Sequence, residues 1–458
     1  MSQLKCLHIA PHYGGGVGAT VASIINYFSS ELSIESTVVS LDRLVNRFYI
    51  DSLSASVLVY ENLFHNFEHL TQLVQSVDVV IIHYWNHPLL TVLLSLYNFP
   101  HCKIVFWTHT SGLYEPNIIP TYLYEVGARV VYTSTISLSL PESSNPSFKQ
   151  KISIARSAKD IDPFLSIARC RNTIYSGKRA LYIGTISRQK MHDDSQLIFE
   201  QLAAKGISID VVGEPADLDL VQSLKDTNGV AFHGYKSDIL PFLMQADCFI
   251  YPLNSRHYGT GELVLVEALA SGLPCICMNN PAERFIVDHG SNGFLANSVP
   301  EFIDYVLNLL DNPQLLSTFS ISAISKAKSS FSLESTAQSL ASQLWDVKRE
   351  NSPSFKGVAC SSSSPDSILG AMIHHSFTDE RIEKIDLSLS LEMLTSLVSN
   401  AYARICGGAF CAESMPAKGS PAQYLRYFPD SQSVATVCRK LALANDNCLS
   451  PAPTNSNN

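Results

Sequence analysis

The chain is 458 residues long, with 46% hydrophobic and 16% charged residues and a formal net charge of −9. This length exceeds one ordinary hydrophobic core, so the sequence predicts two or three domains. The negative charge disfavours a nucleic-acid groove as the main functional surface. Apolar runs are all shorter than the roughly 18 residues that a membrane-spanning helix needs. We also expect no signal peptide, because the first residues enter a strand-like pattern directly.

Eleven cysteines are scattered along the chain without a Cys-x-x-Cys pair. An odd number with this spacing predicts reduced thiols in a cytoplasmic protein, rather than disulfides or a zinc site. A peripheral role at a membrane surface stays open, although no basic amphipathic helix indicates one.

Short β-branched runs alternate with longer mixed segments, which is typical of doubly wound α/β sheets. In the first part of the chain, strands are predicted over residues 4–10, 36–42, 78–85, 103–110 and 129–134. The pattern then restarts, with strands predicted over residues 180–185, 207–214, 230–235, 247–253 and 274–278. Predicted helices include residues 18–30, 237–246 and 261–271.

The predicted fold class is therefore α/β, with two Rossmann-like doubly wound domains that face each other across a cleft, and a C-terminal extension. We place the domains at residues 1–170 and 171–349, and the extension at residues 350–458. Ligands of such sheets bind in the crevice outside the carboxyl ends of the strands. The extension begins with a Ser/Pro-rich linker, includes a predicted helix over residues 387–405, and ends in a segment predicted to be disordered. Residues 418–430 mix aromatic and basic side chains and are expected to dock on the core or on a partner.

The first predicted strand ends in "PHYGGGVGAT". Glycines there, Gly15 and Gly16 among them, let the backbone approach a ligand, and the helix that follows directs its amides toward it. A dinucleotide site is one interpretation, with Ala19 as the third position of Gly-x-Gly-x-x-Gly and Asp42 as the acid after the second strand. A glycine-rich turn without a ligand is the alternative.

Two cations, Arg188 and Lys190, follow the first strand of the second sheet in "IGTISRQKM". At the carboxyl edge of a sheet they are placed to meet a diphosphate. A solvated basic loop is the structural alternative.

The stretch "GTGELVLVEALASGLP" places Gly259, Thr260 and Gly261 before a predicted helix. Free amides at a helix start, together with the helix dipole, make an anion site. Glu262 in the first turn either caps this helix or contacts a substrate. Glu267 has only apolar or small neighbours on its helix face, so its carboxylate needs hydrogen bonds from elsewhere. The diol of a ribose would supply them.

Three features together resemble the donor-binding half of retaining GT-B glycosyltransferases of family 4. They are the spacing of Gly184 and Lys190, the segment "EALASGLP" at residues 267–274, and "NNPAERFIVDHGSNGFLA" at residues 279–296. The resemblance covers residues 4–346 and is strongest over residues 180–300. It implies a glycosyltransferase that moves a sugar from a nucleoside diphosphate sugar to the hydroxyl of an acceptor saccharide or other compound. It also implies retention of the anomeric configuration. We expect neither a cofactor nor a metal ion, because Lys190 and Arg188 can stabilise the leaving diphosphate and no Asp-x-Asp stands at a predicted strand end.

The resemblance further implies a role for individual residues. Glu267 would hold the donor ribose hydroxyls, Lys190 would meet the diphosphate, and the loop with Gly15 and Gly16 would close over it. The first domain would be the acceptor side and the second the donor side.

His109, in "WTHTSG", falls where the family offers a histidine to the donor sugar. A hydrogen-bonded histidine at a strand end is the structural alternative. His83, in "IIHYW", is a weaker candidate for the same role.

The sequence departs from the family pattern at two positions. The first glutamate of Glu-x7-Glu falls on Gly259, and the arginine after the strand-ending glycine falls on Thr185. Glu262 would then present its carboxylate to the sugar, and Arg188 would replace the arginine. These departures keep open a glycosyltransferase-like protein that binds nucleotide sugar, or scaffolds a partner, without turnover. A nicotinamide oxidoreductase is a third hypothesis, and it leaves the motifs of the second sheet unexplained.

Overall fold

The computed structural model describes residues 3–171, 178–350, 367–377, 391–406 and 418–448. The predicted Ser/Pro-rich linker over residues 351–367, except for Ser367, and the terminal residues 450–458 lie outside the described residues. Two parallel sheets, one of seven strands and one of six, organise the rest. The predicted α/β architecture of two doubly wound sheets is confirmed.

The first sheet is built from apolar runs that are buried on both faces. Its strands are β1 (Leu4–Ala10), β2 (Ile34–Ser40), β3 (Leu58–Tyr60), β4 (Val79–Tyr84), β5 (Ile104–Thr108), β6 (Arg129–Tyr132) and β7 (Ile152–Ile154). Their order is β3-β2-β1-β4-β5-β6-β7, and every pairing is parallel. Strands β4 and β5 are buried at every position, as expected of central parallel strands that helices cover on both sides.

Helices connect these strands and cover the sheet. They are α1 (Gly15–Glu31), α2 (Phe67–Gln75), α3 (Pro88–Leu96), α4 (Tyr122–Val126), α5 (Pro141–Ser144) and α6 (Pro146–Lys149). Helix α7 (Asp162–Arg171) follows β7 and packs on the second domain, where Phe164 and Ile167 join its core. Helix α1 begins three residues before the predicted start at residue 18, since Gly15 and Gly16 already belong to its first turn.

The second sheet repeats the architecture with six strands. They are β8 (Arg179–Ile183), β9 (Ser208–Val212), β10 (Val230–Gly234), β11 (Cys248–Tyr251), β12 (Cys275–Met278) and β13 (Gly293–Ala296). The order is β10-β9-β8-β11-β12-β13, again with parallel pairing. The helices are α8 (Ser195–Ala204), α9 (Leu218–Asp226), α10 (Leu240–Gln245), α11 (Leu263–Ala270), α12 (Pro281–Ile286), α13 (Val299–Leu310), α14 (Pro313–Ser330) and α15 (Leu333–Arg349).

The strand order reverses at one point in each sheet, between β1 and β4 in the first and between β8 and β11 in the second. At such a point the connections leave in opposite directions and open a crevice at the carboxyl ends of the strands. The glycine loop after β1, the cation loop after β8 and the loop before α11 therefore all lie at crevice edges.

Helix α15 falls inside the predicted second domain, yet it packs against the first. Its residues Ala337, Leu340 and Leu344 are buried in one cluster with Leu4 of β1 and Val79 of β4. The chain thus passes between the domains twice, once after β7 and once before α15.

The C-terminal extension forms a small helical layer on the first domain. Its described helices are α16 (Ser367–His374), α17 (Leu391–Cys406), α18 (Pro421–Tyr427) and α19 (Gln432–Cys448). Tyr424 lies fully buried against α3, where its hydroxyl donates to Asn86 Oδ1 at 3.2 Å and lies 2.7 Å from Thr91 Oγ1. The described part of residues 418–430 therefore docks on the core, one of the two expected outcomes.

Within the described segments, no helix has both the length and the apolar character that crossing a bilayer requires. Six cysteines in the described segments form no disulfide: Cys6, Cys102, Cys248, Cys275, Cys277 and Cys438.

Candidate active site

The loops at the carboxyl edges of the two sheets approach each other directly. A Cβ atom placed on Gly16, at the start of α1, would lie 3.7 Å from Leu263 Cδ1, at the start of α11. The hydroxyl oxygens of Thr133, which follows β6, and Thr260 lie within hydrogen-bond distance at 3.0 Å. The predicted glycine loop and the predicted helix start therefore face one another across the cleft.

Lys190 and Glu262 form a buried ion pair in this cleft. Lys190 Nζ lies 3.2 Å from Glu262 Oε2, and the two side chains are only 13% and 7% exposed. The Tyr251 hydroxyl, at the end of β11, donates to the same oxygen. Burial alone would raise the pKa of Glu262, but Lys190 and the Tyr251 hydroxyl help to lower it to about 2. Glu262 is therefore ionised, and its charge keeps the pKa of Lys190 above its usual value despite burial.

Glu262 does not act as a side-chain cap. It occupies the N-cap position of α11, yet its carboxylate makes no hydrogen bond to the amides of the helix. Of the two interpretations of Glu262, capping is wrong, since the carboxylate points to the cations and hydroxyl of the cleft.

Gly259 leaves the space that the Glu262 carboxylate fills. A Cβ atom on Gly259 would lie 1.7 Å from Glu262 Oε1, closer than any real contact allows. The carboxylate of residue 262 thus stands beside the backbone of residue 259, where the family pattern would have its first glutamate.

His257 and Glu283 hold the loop before α11 in place through hydrogen bonds. His257 Nδ1 accepts a hydrogen bond from the Gly259 amide at 3.1 Å, so its Nε2 carries the proton and faces Glu283 Oε1 at 3.1 Å. Glu283 is fully buried. Of the three residues predicted to offer amides to an anion, Gly259 therefore uses its amide within the protein. The amides of Thr260 and Gly261 have no acceptor among the described residues.

Glu267 is buried in the middle of α11 as predicted, and its partner is Lys159. Lys159 Nζ lies 2.6 Å from Glu267 Oε1, with the two side chains 18% and 10% exposed. Burial raises the pKa of Glu267, and Lys159 offsets part of that rise. The expected ribose is therefore not the only source of hydrogen bonds for this carboxylate, because the segment between the domains already supplies one.

Arg188 points away from the Lys190 cluster. Its Nε lies 3.0 Å from Asp217 Oδ2, and its side chain is about half exposed at 47%. Asp217 is fully buried and caps α9, where its Oδ1 accepts from the Leu220 amide at 2.9 Å. The structure thus gives Arg188 a structural partner, while the half-exposed guanidinium remains at the same sheet edge.

The glycine loop has the geometry of a helix start open to a ligand. Gly15 has φ +59°, a conformation that favours glycine, and begins α1 without a side-chain cap. Asp42, the acid required by the dinucleotide interpretation, lies after β2, where Tyr427 of the C-terminal extension hydrogen-bonds to it. The Asp42 carboxylate therefore already has a hydrogen-bond partner within the chain.

His109 lies directly after β5, at the carboxyl edge of the first sheet. Its backbone amide donates to the Tyr84 carbonyl at 2.7 Å, and its ring Nε2 lies 3.1 Å from His83 Nδ1. The ring is partly exposed, whereas His83 is fully buried. His109 is therefore hydrogen-bonded at a strand end, at the same sheet edge as the other candidate residues of the first domain.

Sequence reasoning missed four residues of this site: Lys159, Tyr251, His257 and Glu283. Lys159 and Glu267 are 108 residues apart in the sequence, so only the folded structure shows that they form a pair. The available signal was position, since Tyr251 ends a strand and His257 shares the loop of Gly259.

Comparison with known proteins shows which family and which relatives the chain is similar to. Residues 177–312 match the family described as glycosyl transferases group 1. An alpha-monoglucosyldiacylglycerol synthase from Acholeplasma laidlawii is 27% identical over 119 residues, which are 25% of this chain and 29% of that protein. The match thus spans less than a third of the curated relative.

Solved structures resemble the chain over a longer range. A glycosyltransferase from Rickettsia africae superposes with a TM-score of 0.58 at 16% identity, over 77% of this chain and all of that one. HepE from Anabaena, in complex with UDP-glucose, gives a TM-score of 0.57 at 17% identity, over 75% of this chain and all of that one. At such identities the likeness shows the fold alone. The fold is that of GT-B glycosyltransferase structures, and residues 177–312 in its second half are similar to the family described as glycosyl transferases group 1.

Proposed function

We propose that this protein transfers a sugar from a nucleoside diphosphate sugar to an acceptor hydroxyl, with retention of the anomeric configuration, as a family 4 enzyme. The observation that carries the proposal is the buried pair of Lys190 and Glu262, which faces the glycine loop of the first domain across the cleft. The group 1 domain over residues 177–312 supports the same reaction class. Retention rests on the resemblance of the motifs.

The chemistry requires positive charge where the leaving group gathers negative charge. As the glycosidic bond breaks, the bond electrons pass to the diphosphate oxygen. Lys190 has three donors, so it can hold Glu262 and still offer hydrogen bonds to that oxygen. The Thr260 and Gly261 amides, at the positive end of α11, add to this field. Since these groups supply the charge, the proposed reaction needs neither a metal ion nor a cofactor.

In this proposal, Glu262 and Glu267 bind different parts of the donor. Glu262 has the place of the missing glutamate and would accept hydrogen bonds from sugar hydroxyls. Glu267 Oε1 is bonded to Lys159, which leaves Oε2 for a ribose hydroxyl. Closure of the Gly15–Gly16 loop would exclude water and limit hydrolysis of the donor.

The comparisons suggest which ligands to test first. HepE is described in complex with UDP and with UDP-glucose, so uridine nucleotides come first among the donors. The name of the Acholeplasma relative adds a lipid hydroxyl to the saccharides as an acceptor class, and with it peripheral membrane association. We further propose a cytoplasmic location, which the free thiols fit.

A thermal-shift titration with UDP, GDP, ADP and their glucose conjugates tests the proposal. A ligand at 100 times its Kd should stabilise the protein by about 2.7 kcal/mol. One nucleotide should give a saturable shift, and Lys190→Ala should abolish most of it. A lack of saturable shift with every nucleotide, or an unchanged shift in Lys190→Ala, would refute the diphosphate site.

Binding without turnover is the second candidate, and Gly259 in place of the family's glutamate favours it. Glu262→Gln separates the two candidates. If Glu262 contacts the reacting sugar, this variant loses transfer activity and still binds UDP. If the protein only binds nucleotide sugar, wild type and variant are equally inactive with every acceptor and bind UDP-glucose equally well.

A further inference from the structure

Three histidines on adjacent strands form a continuous hydrogen-bonded row. His8 of β1, His83 of β4 and His109 after β5 are joined by N···N distances of 3.1 Å, from His8 Nδ1 to His83 Nε2 and from His83 Nδ1 to His109 Nε2. Neighbouring rings lie nearly parallel, at 14° and 29°. The row runs from the sheet interior, where His8 and His83 are fully buried, to the cleft. We propose that His8 and His83 are positioning residues that fix the tautomer of His109, so that its Nδ1–H donates into the cleft.

The three rings are neutral in the folded protein. Burial lowers the pKa of His8 and of His109 to about 3 and that of His83 well below its ordinary value. A neutral imidazole has one N–H and one acceptor nitrogen. Each N···N contact needs one donor and one acceptor, so all three rings must point their protons in the same direction along the row.

Only two arrangements satisfy this condition. In the first, His8 Nδ1–H donates to His83, His83 Nδ1–H donates to His109, and His109 keeps its proton on Nδ1. In the second, every proton lies on Nε2, His109 donates to His83, and His109 Nδ1 becomes an acceptor. The two arrangements differ at both ends of the row, and the buried end decides between them.

His8 Nε2 is that buried end, and it has no hydrogen-bond partner among the described residues. A buried N–H without an acceptor is rarer and costs more than a buried acceptor without a donor. The first arrangement leaves an unprotonated nitrogen at this position, whereas the second buries an unsatisfied N–H. The row therefore favours protons on Nδ1, and His109 presents a donor to the cleft.

The consequence for substrate rests on the proposed function. A donor at the carboxyl edge of β5 recognises an oxygen acceptor, such as a hydroxyl or phosphate oxygen of the nucleotide sugar. An acceptor nitrogen at the same position would repel a phosphate oxygen. His8, which touches no ligand, would thus determine what His109 can bind.

Side-chain ¹H–¹⁵N NMR of the full-length protein, labelled with ¹⁵N-histidine, tests the tautomers without any ligand. His109→Gln and His83→Gln assign the signals. We expect Nδ1-protonated, neutral rings for both residues. An Nε2-protonated His83 or His109 overturns the proposal. This measurement is independent of activity, so it stands even if no nucleotide sugar is turned over.

A pair of His8 variants tests whether the tautomer of His109 affects the reaction with the nucleotide sugar. The amide of Asn reaches the position of Nδ1 and still donates to His83, whereas Leu has similar bulk and no donor. We expect His8→Leu to reduce kcat/KM with UDP-glucose about five- to tenfold, the equivalent of one hydrogen bond. His8→Asn should restore it to within about twofold.

Equal kcat/KM values in His8→Leu, His8→Asn and wild type would contradict the claim that His8 acts on the substrate through His109. If His8→Leu does not fold, the tautomers of His83 and His109 in His8→Asn decide, since they must remain Nδ1-protonated. If the wild-type protein neither binds nor turns over UDP-glucose, the proposed function fails for this donor, and the NMR result alone judges the row.

Discussion

Lys190 Nζ and Glu262 Oε2 lie 3.2 Å apart in a cleft that leaves both side chains almost without water. Removal of one member of such a pair leaves the other charge buried and unpaired. The same lysine is proposed to bind diphosphate. Substitution of Lys190 alone and of Lys190 together with Glu262 should therefore affect the free energy of unfolding and the affinity for UDP differently.

We expect Lys190→Met to lower the free energy of unfolding by about 3 kcal/mol, because the Glu262 carboxylate loses its cation. Lys190→Met/Glu262→Gln should regain most of this loss, since neither charge remains. Both variants should bind UDP about ten- to a hundredfold more weakly, as expected for one charged hydrogen bond. Urea denaturation and calorimetric titration measure the two quantities.

Lys5→Met is the matched control, because Lys5 and Glu35 form an exposed pair with side chains 50% and 41% exposed. It should change unfolding by less than about 1 kcal/mol and leave UDP affinity unchanged. If the double variant binds UDP like the wild type, Lys190 has a structural role only.

Gly259→Ala should displace the Glu262 carboxylate, because its Cβ would overlap Glu262 Oε1 at 1.7 Å. A displacement of about 1 Å in a reacting group can reduce kcat about 100-fold. We expect a loss of this order in sugar transfer, with a modest decrease in Tm. Gly16→Ala is the control for stability, since its Cβ would lie 3.7 Å from Leu263 Cδ1, an ordinary contact. Unchanged transfer by Gly259→Ala would show that the position of Glu262 is not critical.

Stability should fall as the pH falls below about 6.5. Burial lowers the pKa of seven histidines in the folded protein: His8, His12, His83, His87, His109, His374 and His375. Their unfolded-state pKa is about 6.5, so the unfolded chain takes up protons that the native state refuses. Each fully buried ring contributes up to about 1.4 kcal/mol per pH unit, until the pH reaches its folded pKa.

Thermal unfolding between pH 7 and pH 5 measures this effect, before most carboxylates titrate. We expect Tm to decrease by more than about 5 °C over this range. His8→Asn should reduce the slope, whereas substitution of the exposed His101 by Asn should leave it as it is. A Tm that is constant from pH 7 to pH 5 would contradict the burial of these rings.

The C-terminal extension should stabilise the first domain through α3. Tyr424→Phe removes the hydroxyl that contacts Asn86 and Thr91 and leaves the buried Asn86 Oδ1 without its donor. We expect a loss of about 1–3 kcal/mol in urea denaturation. Tyr235→Phe, at a side chain that is 57% exposed, should change nothing measurable. A truncation after residue 350 should bind a hydrophobic dye, since it uncovers α3.

The central strands could be predicted because they are continuous apolar runs. Residues 78–85 were predicted and Val79–Tyr84 is observed, buried at every position. The edge strand Ile152–Ile154 was missed, since it has three residues, all of them only half-buried. Short edge strands have one neighbour and need no apolar run, so their sequences give little signal.

The candidate site was predictable as far as local motifs reach. Lys190, Glu262 and the glycine loop stand at strand ends and helix starts, and the fold brings them to one cleft. Lys159 and His8 could not be predicted, because their roles depend on partners in distant parts of the chain. A histidine inside an apolar strand has no feature that distinguishes a member of a hydrogen-bonded row from a packed core residue.

The two passages of the chain between the domains lie side by side, since Arg156 Nη1 donates to the Ser330 carbonyl at 3.0 Å. Two adjacent connections favour a hinge motion of the domains about one axis, because sliding or twisting would stretch one of the connections. A protease that cuts only one of these connections would therefore leave both domains covalently tethered but would remove the constraint on sliding and twisting.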